Sequence, residues 1–453
     1  MWVLGLVVLM DNVDQSVIRG MVQPLEHAFG VGDFAIGVLA SAFVLVNGLV
    51  TVPAGYLGDR VHRTHLIGRT MAGWSVLSAL GGAMPTFPLL VGARGLLGFG
   101  QGVSDPAANS LIADFYDLGR RGTAFSVQYC MTFVGFGAGA ALGTVISSPV
   151  NSSNWRWAFV VSALPGLLVA VLVYRLTEPR RGAADRAHVG VADETGVGSP
   201  TRTPLFEEGV GRFLVDMVRG LRTDTRTILK IPTMRYALVG VSFILFTVTA
   251  LSFWLPTFYQ RQLHLSASRA TALFVALAVG AGVSGVLLGG RLADRLTDRI
   301  RGARMAIPGF CLVICLTCFL VSYLWLPVAP TFALEFVGFF AASMSIPALR
   351  AGLSDAVPAH VRGTGFGAFN LFSVIFGTAA APSAVGLLSD LFGHDLRTAL
   401  ILVTPPAYIG AWLLLRARDH IERDTAAIFT AVIEAVQADQ ARTAEREGPA
   451  EAG

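Results

Sequence analysis

The chain has 453 residues, of which 53% are hydrophobic and only 14% are charged, with a formal net charge of +4. Because soluble globular proteins carry about 25% charged residues, this composition excludes an ordinary soluble domain and favours an integral membrane protein. The polar segments contain no hydrolase triad, phosphate-binding loop or nucleic-acid module, so we predict a protein that is not an enzyme, with no cofactor and no nucleic-acid partner. Cys311, Cys315 and Cys318 share a helix face, but without a nearby histidine or carboxylate they indicate packing rather than a metal site.

Twelve apolar runs are long enough to cross a bilayer as helices, which requires about 20 residues each. They lie near 2–24, 34–57, 66–85, 88–114, 123–146, 157–176, 235–259, 267–289, 305–326, 330–356, 364–388 and 397–416. The first run has no basic region before it and no small-residue cleavage site after it. We therefore expect a membrane span there rather than a signal peptide.

Arginines collect in alternate loops. The loops after spans 2, 4 and 8 are rich in arginine, whereas the loops after spans 3 and 9 contain no basic residue. Because basic loops stay in the cytoplasm, both termini and the long segment 177–230 are predicted to be cytoplasmic. Lys230 is the one lysine among 34 basic residues, a bias that indicates a GC-rich bacterial genome and hence a bacterial cytoplasmic membrane.

These features predict four regions. Residues 1–176 form an N-terminal six-helix bundle and 231–416 a C-terminal one, while the linker 177–230 contains an amphipathic helix on the inner membrane surface. The segment 417–453 is predicted to be a second amphipathic helix, followed by a disordered tail.

The two halves repeat each other. "GYLGDR" after span 2 recurs as "GRLADR" after span 8, and "DFYDLGRRGTAF" after span 4 recurs as "DAVPAHVRGTGF" after span 10. Parallel repeats of this kind predict an all-α membrane protein with twelve helices in two pseudo-symmetric bundles and a substrate site between them.

Span 4 carries Arg94, Gln101 and Asp105 in an apolar run. A charge at mid-membrane costs about 2.5–3.5 kcal/mol, so we expect these residues to meet partners or a water-filled gap. The repeat offset of 241 places Glu335 at the position of Arg94. Arg94, Gln101 and Glu335 are therefore predicted to line the cleft between the bundles and bind substrate. Asp105, one turn from Gln101, either titrates or caps a helix break near Pro106.

Span 1 carries Asp11 and Asp14, about one turn apart, and Arg19. Asp14 is either the permanent ion-pair partner of Arg94 or a proton switch controlled by that arginine. Asp11 is a further candidate for proton coupling. Arg19 either extends toward the outer surface or binds substrate.

"GYLGDRVHR" resembles the loop motif G-x-L-x-D-R-x-x-R of the major facilitator superfamily. Within it, "LMDNVDQSVIRGMVQPLE" in span 1 and "RGLLGFGQGVSDPAANSLIADFY" in span 4 are similar to the spinster family, whose span 1 aspartate and span 4 arginine fall on Asp14 and Arg94. Two positions depart from the family pattern, because Gln101 replaces a glutamate and Gln15 an arginine. The resemblance implies gating roles for the loop-motif residues and their neighbours, namely Asp59, Arg60, Arg63, Asp294, Arg295, Arg121 and Arg362.

The resemblance implies a monomeric, multi-pass secondary transporter in contact with membrane lipids. It would work by alternating access and carry an anionic amphiphile, such as a lysophospholipid or sphingoid phosphate, coupled to protons. The alternative is a small organic-anion or drug transporter of the same superfamily. A non-transporting sensor or a downhill scramblase also remains open, because Gln101 cannot titrate.

Overall fold

The structure is a computed structural model, and it describes residues 2–58, 61–116, 118–147, 154–179, 210–297, 299–300, 302–324, 327–356 and 369–447. Every regular element within these ranges is helical. Long apolar runs form helices because a helix satisfies all its backbone hydrogen bonds internally, as the bilayer core requires.

The N-terminal half begins with a broken helix and continues with five unbroken ones. In order these are α1 (Trp2–Ser16), a 3₁₀ turn (Val17–Gly20), α2 (Val22–Phe29), α3 (Asp33–Gly58), α4 (Arg63–Gly81), α5 (Phe87–Phe115), α6 (Leu118–Ile146) and α7 (Trp155–Tyr174).

The linker contributes one helix, and the C-terminal half contains two helices that are interrupted by π-helical segments. In order these are α8 (Val210–Leu229), α9 (Pro232–Gln262), α10 (Ala267–Val275), a π segment (Ala276–Val283), α11 (Ser284–Thr297), α12 (Ala303–Ser322), α13 (Val328–Asp355), a π segment (Val374–Thr378), α14 (Ala381–Leu391), α15 (Leu396–Val403) and α16 (Pro406–Glu447).

These elements coincide with the twelve predicted spans, and nine spans among the described residues are long and apolar enough to cross a membrane. The linker helix α8 lies where the amphipathic stripe predicted it, with Val215 and Val218 exposed. The second amphipathic helix of the prediction lies within α16, which runs unbroken to Glu447, and the rest of the predicted tail lies outside the described residues. The residues near the end of α16 are mostly Ala, Glu, Arg and Gln, which have high helix propensity.

Glycines let the N-terminal helices approach each other at backbone distance. A Cβ built on Gly98 of α5 would lie 2.3 Å from the Phe43 carbonyl oxygen of α3. One built on Gly143 of α6 would lie 2.2 Å from the Val17 carbonyl oxygen. Small residues are the usual means by which membrane helices pack closely.

We expect Gly98→Ala to lower the free energy of unfolding by about 1–3 kcal/mol, because the added methyl group overpacks against main chain that cannot rotate away. Unfolding in mixed detergent micelles measures the change. Gly92 on the same helix is the matched control, since its Cβ would meet nothing within 4 Å and alanine favours a helix. Equal stability of the two variants would contradict this packing.

Both π segments of the C-terminal half face the N-terminal half. A Cβ on Gly48 of α3 would lie 2.3 Å from Cγ1 of Val374, in the second π segment. A Cβ on Gly282, in the first, would lie 2.6 Å from the Phe133 ring of α6. Because π segments occur mostly at functional sites, the two irregular helices mark the surface on which the halves meet.

Candidate functional site between and within the bundles

A buried ion pair joins α1 and α5 of the N-terminal bundle. Nη1 of Arg94 lies 2.9 Å from Oδ2 of Asp14 and 3.2 Å from its main-chain oxygen. The hydroxyl of Ser78 on α4 donates to the other carboxylate oxygen. The guanidinium also lies over the Phe159 ring of α7, with Cζ 4.7 Å from the ring centre. The pairing of Asp14 with Arg94 is therefore present, as the sequence predicted.

The predicted position of this arginine in the cleft was wrong. Arg94 is only 2% exposed and Asp14 is fully buried, and their partners come from α4 and α7 of the same bundle. The sequence shows that span 4 contains a charged residue, but it does not show which face of α5 packs against the interior of the N-terminal bundle. Because each charge balances the other, the pair is neutral without binding a proton.

The two positions that depart from the spinster pattern meet each other. The side-chain amide of Gln15 on α1 donates to Oε1 of Gln101 on α5 over 3.1 Å. Gln101 is buried, and its Nε2 has no hydrogen-bond partner among the described residues. Two neutral amides thus stand where the family pattern has a basic and an acidic residue. Neither amide can bind and release a proton.

Arg19 is a buried cation between the two bundles. It follows Ser16, where α1 gives way to the 3₁₀ turn, and it is 8% exposed. Its Cζ lies 4.5 Å from the ring centre of Phe136 on α6 and 5.7 Å from that of Phe274 on α10. Nε and Nη1 make no hydrogen bond within the described part of the chain. The expectation that Arg19 reaches toward the outer surface was therefore wrong.

Glu335 is fully buried inside the C-terminal bundle. The phenol of Tyr259 on α9 donates to Oε2, and the hydroxyl of Ser322 on α12 lies 3.2 Å from Oε1. This arrangement resembles that of the Asp14 carboxylate, which lies on the first span of its half and accepts a hydrogen bond from Ser78 on the third. The prediction that Glu335 lines the cleft was wrong for the same reason as for Arg94.

An ionic cluster that the sequence did not predict holds the bundles together on the predicted outer side. Arg261 at the end of α9 lies 2.5 Å from Glu26 of α2 and 2.8 Å from Asp33 at the start of α3. Asp390 of α14 accepts the main-chain N–H groups of Asp33 and Phe34 at 3.0 and 2.9 Å. A carboxylate at a helix N-terminus is stabilising. We call the cluster of Arg261, Glu26, Asp33 and Asp390 the outer clamp, because its contacts hold the two bundles together on that side.

Further contacts seal the same side. The hydroxyls of Thr144 on α6 and Thr271 on α10 are 2.6 Å apart and buried. The hydroxyls of Ser41 on α3 and Ser383 on α14 are 3.2 Å apart.

On the predicted cytoplasmic side, the exposed Arg350 of α13 lies with Cζ 5.0 Å from the ring centre of Tyr129 on α6.

Arg63 is the predicted gating residue whose contacts the structure describes in detail. It is buried and lies 2.5 Å from Asp114 at the end of α5 and 2.9 Å from Glu178 after α7. Burial acts to raise the pKa of Glu178, but the hydrogen bonds and charge of Arg63 outweigh it and hold that pKa below its usual range. Arg63 thus ties three ends of the N-terminal bundle together.

The remaining predicted residues divide into two groups. Asp11 is buried on α1, and Arg295 is exposed near the end of α11. The other predicted side chains lie outside the described residues, namely those of Asp59, Arg60, Asp105, Arg121, Asp294 and Arg362.

Comparison with known proteins gives a consistent assignment. The sequence profile of the Major Facilitator Superfamily matches residues 4–377. Protein spinster homolog 3 of Danio rerio is 25% identical over 84% of this chain and 74% of its own length. Protein spinster homolog 1 of Homo sapiens is 27% identical over 90% of this chain and 74% of its own. For the Rattus norvegicus homolog 1, which is 26% identical over 56% of this chain, the match spans 44% of the relative.

Solved structures share the fold. A bacterial homolog of the human lysosomal transporter Spinster, in an inward-facing and unoccupied conformation, superposes with a TM-score of 0.71 and 21% identity, covering 95% of this chain and 97% of that one. A proton:xylose symporter gives a TM-score of 0.66 and 17% identity, covering 93% and 94%.

Proposed function

The chain belongs to the major facilitator superfamily and is a multi-pass transporter of its spinster type rather than an enzyme, and from this we propose that it carries an anionic amphiphile by proton-coupled alternating access. The substrate class is a lysophospholipid or sphingoid phosphate. The protein would act as a monomer in a bacterial cytoplasmic membrane, with both termini in the cytoplasm. The loop-motif residues, among them Asp59 and Asp294, would contribute to the cytoplasmic gate.

The unpaired guanidinium of Arg19 is the observation that carries this proposal. A buried ionised group without a partner is costly, and Nε and Nη1 of Arg19 donate to no described residue. The residue lies where α6 of one bundle meets α10 of the other. A phosphate or carboxylate placed there would accept charge-assisted hydrogen bonds from a fork of N–H groups.

Aromatic side chains around Arg19 supply a surface for an apolar chain. The Phe133 ring of α6 meets the Phe339 ring of α13 across the bundle interface, with ring centres 5.8 Å apart, and also contacts Phe136. Phe336 and Phe340 pack against the same cluster. A head group at Arg19 therefore places an acyl or sphingoid chain among rings of both bundles.

The interface between the bundles contains a second cation. Arg350 is exposed and makes no ion pair within the described residues. It lies toward the predicted cytoplasmic end of α13, whereas Arg19 lies toward the outer end of the interface. An anionic head group entering from the cytoplasm would meet Arg350 first and Arg19 deeper in the cleft.

We expect Arg19→Met to weaken binding of sphingosine phosphate by about ten- to a hundredfold, the effect of losing charged hydrogen bonds. The same change should raise the thermal stability of the ligand-free protein, because it removes an unpaired buried charge. Thermal-shift titration in detergent measures both quantities. Arg269→Gln, at an exposed site near the start of α10, is the matched control and should change neither.

Four probes separate the substrate classes. Sphingosine phosphate and lysophosphatidylglycerol should stabilise the wild-type protein, whereas sphingosine, which lacks the phosphate, should stabilise it far less. Stabilisation by benzoate alone would favour the organic-anion alternative. Unchanged binding of both lipids by Arg19→Met would overturn the assignment of this residue.

A further inference from the structure

Glu335 is a buried carboxyl group that no described cation balances. The group is fully buried, and no ion pair to it occurs within the described ranges. Asp14, its counterpart in the other bundle, is balanced by Arg94. Removing one partner of a buried pair costs about 3–5 kcal/mol because the remaining charge is uncompensated. A carboxyl group in such a site avoids that penalty by holding a proton.

The hydrogen bonds around Glu335 are few and come from neutral donors. Tyr259 has one hydroxyl hydrogen, and it donates to Oε2 of Glu335. Ser322 also has one, and its Oγ lies 2.7 Å from the Phe319 carbonyl oxygen but 3.2 Å from Oε1 of Glu335. The serine hydrogen is therefore shared between two acceptors, and the longer contact is the one to Glu335. Two neutral hydroxyl groups, one of them shared, compensate a buried negative charge poorly, which favours the protonated carboxyl group.

We propose that Glu335 binds the proton that this transporter couples to its substrate. The inference rests on the proposed function and names the coupling group, a role for which the sequence suggested Asp14, Asp105 and Asp11. The two amides Gln15 and Gln101 cannot exchange a proton, and the Asp14–Arg94 pair is neutral without one. Glu335, in contrast, needs a proton to be neutral in the outer-closed state.

The groups around Glu335 fit reversible proton binding. The phenol of Tyr259 comes from α9, and the phenol of Tyr323 follows α12, with the thiol of Cys315 beyond it. The Tyr323 hydroxyl is buried and makes no hydrogen bond to the described residues. These hydroxyls stabilise the carboxylate when the proton leaves and supply no permanent counter-charge. When Glu335 ionises, its proton passes to water, and the step needs no other reactant.

Transport in liposomes tests the proposal. With the voltage clamped at zero, one coupled proton at a gradient of one pH unit sustains about a tenfold accumulation of sphingosine phosphate. The wild type should reach this ratio. Glu335→Gln should fall to about one while still exchanging labelled for unlabelled substrate. Asp419→Asn, an exposed carboxylate on α16, should behave as the wild type.

The outcomes distinguish the two proposals. Tenfold accumulation by Glu335→Gln, or exchange without any accumulation in the wild type, would overturn the role of Glu335 and leave the transport function intact. A wild type that moves neither sphingosine phosphate nor lysophosphatidylglycerol would reject the proposed function instead.

Infrared spectroscopy gives a readout that does not depend on transport. In a Glu26→Gln background, which removes the other carboxyl group expected to hold a proton in the closed state, the protein should show the C=O band of a protonated carboxylic acid. Glu335→Gln should lose this band and Asp419→Asn should keep it. If Glu335→Gln does not fold, Tyr259→Phe serves in its place. Loss of the tyrosine hydrogen bond should move the band to higher frequency. An unmoved band, or none in the Glu26→Gln background, would refute the proposal.

Discussion

Replacing Arg94 with methionine is expected to lower the free energy of unfolding by about 3–5 kcal/mol, because it leaves the Asp14 carboxylate buried without its cation. Asp14 is fully buried, and after the change only the hydroxyl of Ser78 still donates to its side chain among the described residues. Unfolding in mixed micelles, followed by tryptophan fluorescence, measures the loss.

A double-mutant cycle shows whether the loss comes from the pair or from lost packing. Asp14→Asn with Arg94→Met removes both charges and should recover most of the stability, since replacing a whole buried pair by neutral residues is often nearly neutral. Arg156→Met is a control on the same bundle, because the part-buried Arg156 hydrogen-bonds the main-chain oxygens of Gly82 and Met84 and forms no ion pair with a described residue. Additive losses in the cycle would mean that the two groups do not interact.

The spans were predictable because membrane insertion imposes a local rule. About 20 apolar residues must follow each other regardless of what surrounds them, so counting along the chain locates the candidate spans. The break in the first span was not predictable by this rule. It occurs at the turn containing Gly20, where a Cβ would lie 2.2 Å from the Ala140 carbonyl oxygen on α6, and such a contact is a property of the packed bundle.

The site was only partly predictable, for a related reason. An isolated charge such as Arg94 indicates that a partner exists, and the first span offered Asp14. The sequence does not say which helix face turns inward, so the cleft was the wrong place for Arg94 and Glu335. The outer clamp was missed because Arg261 is 228 residues from Asp33 and 235 from Glu26. Polar residues at helix ends are also common on any membrane protein surface.

The outer clamp is expected to loosen as the pH rises. Burial and the neighbouring carboxyl of Asp33 raise the pKa of Glu26 from 4.5 to about 8, an effect that Arg261 only partly offsets. A raised carboxyl pKa means that the closed state holds a proton that an open, hydrated Glu26 releases. The closed state is therefore fully favoured below pH 4.5 and loses that advantage as the pH rises through about 8. The change is on the order of 5 kcal/mol at most.

Distances between spin labels across the outer side measure this opening. Labels at Ala28 and Leu391, both exposed, are placed in a chain whose four native cysteines are replaced by alanine. The wild-type distance should lengthen between pH 5 and 8.5, and Glu26→Gln should stay closed throughout, because its amide is neutral at every pH. Arg261→Gln should open at lower pH, since it removes the cation that holds both carboxylates. A pH response that survives in Glu26→Gln would assign the switch to another group.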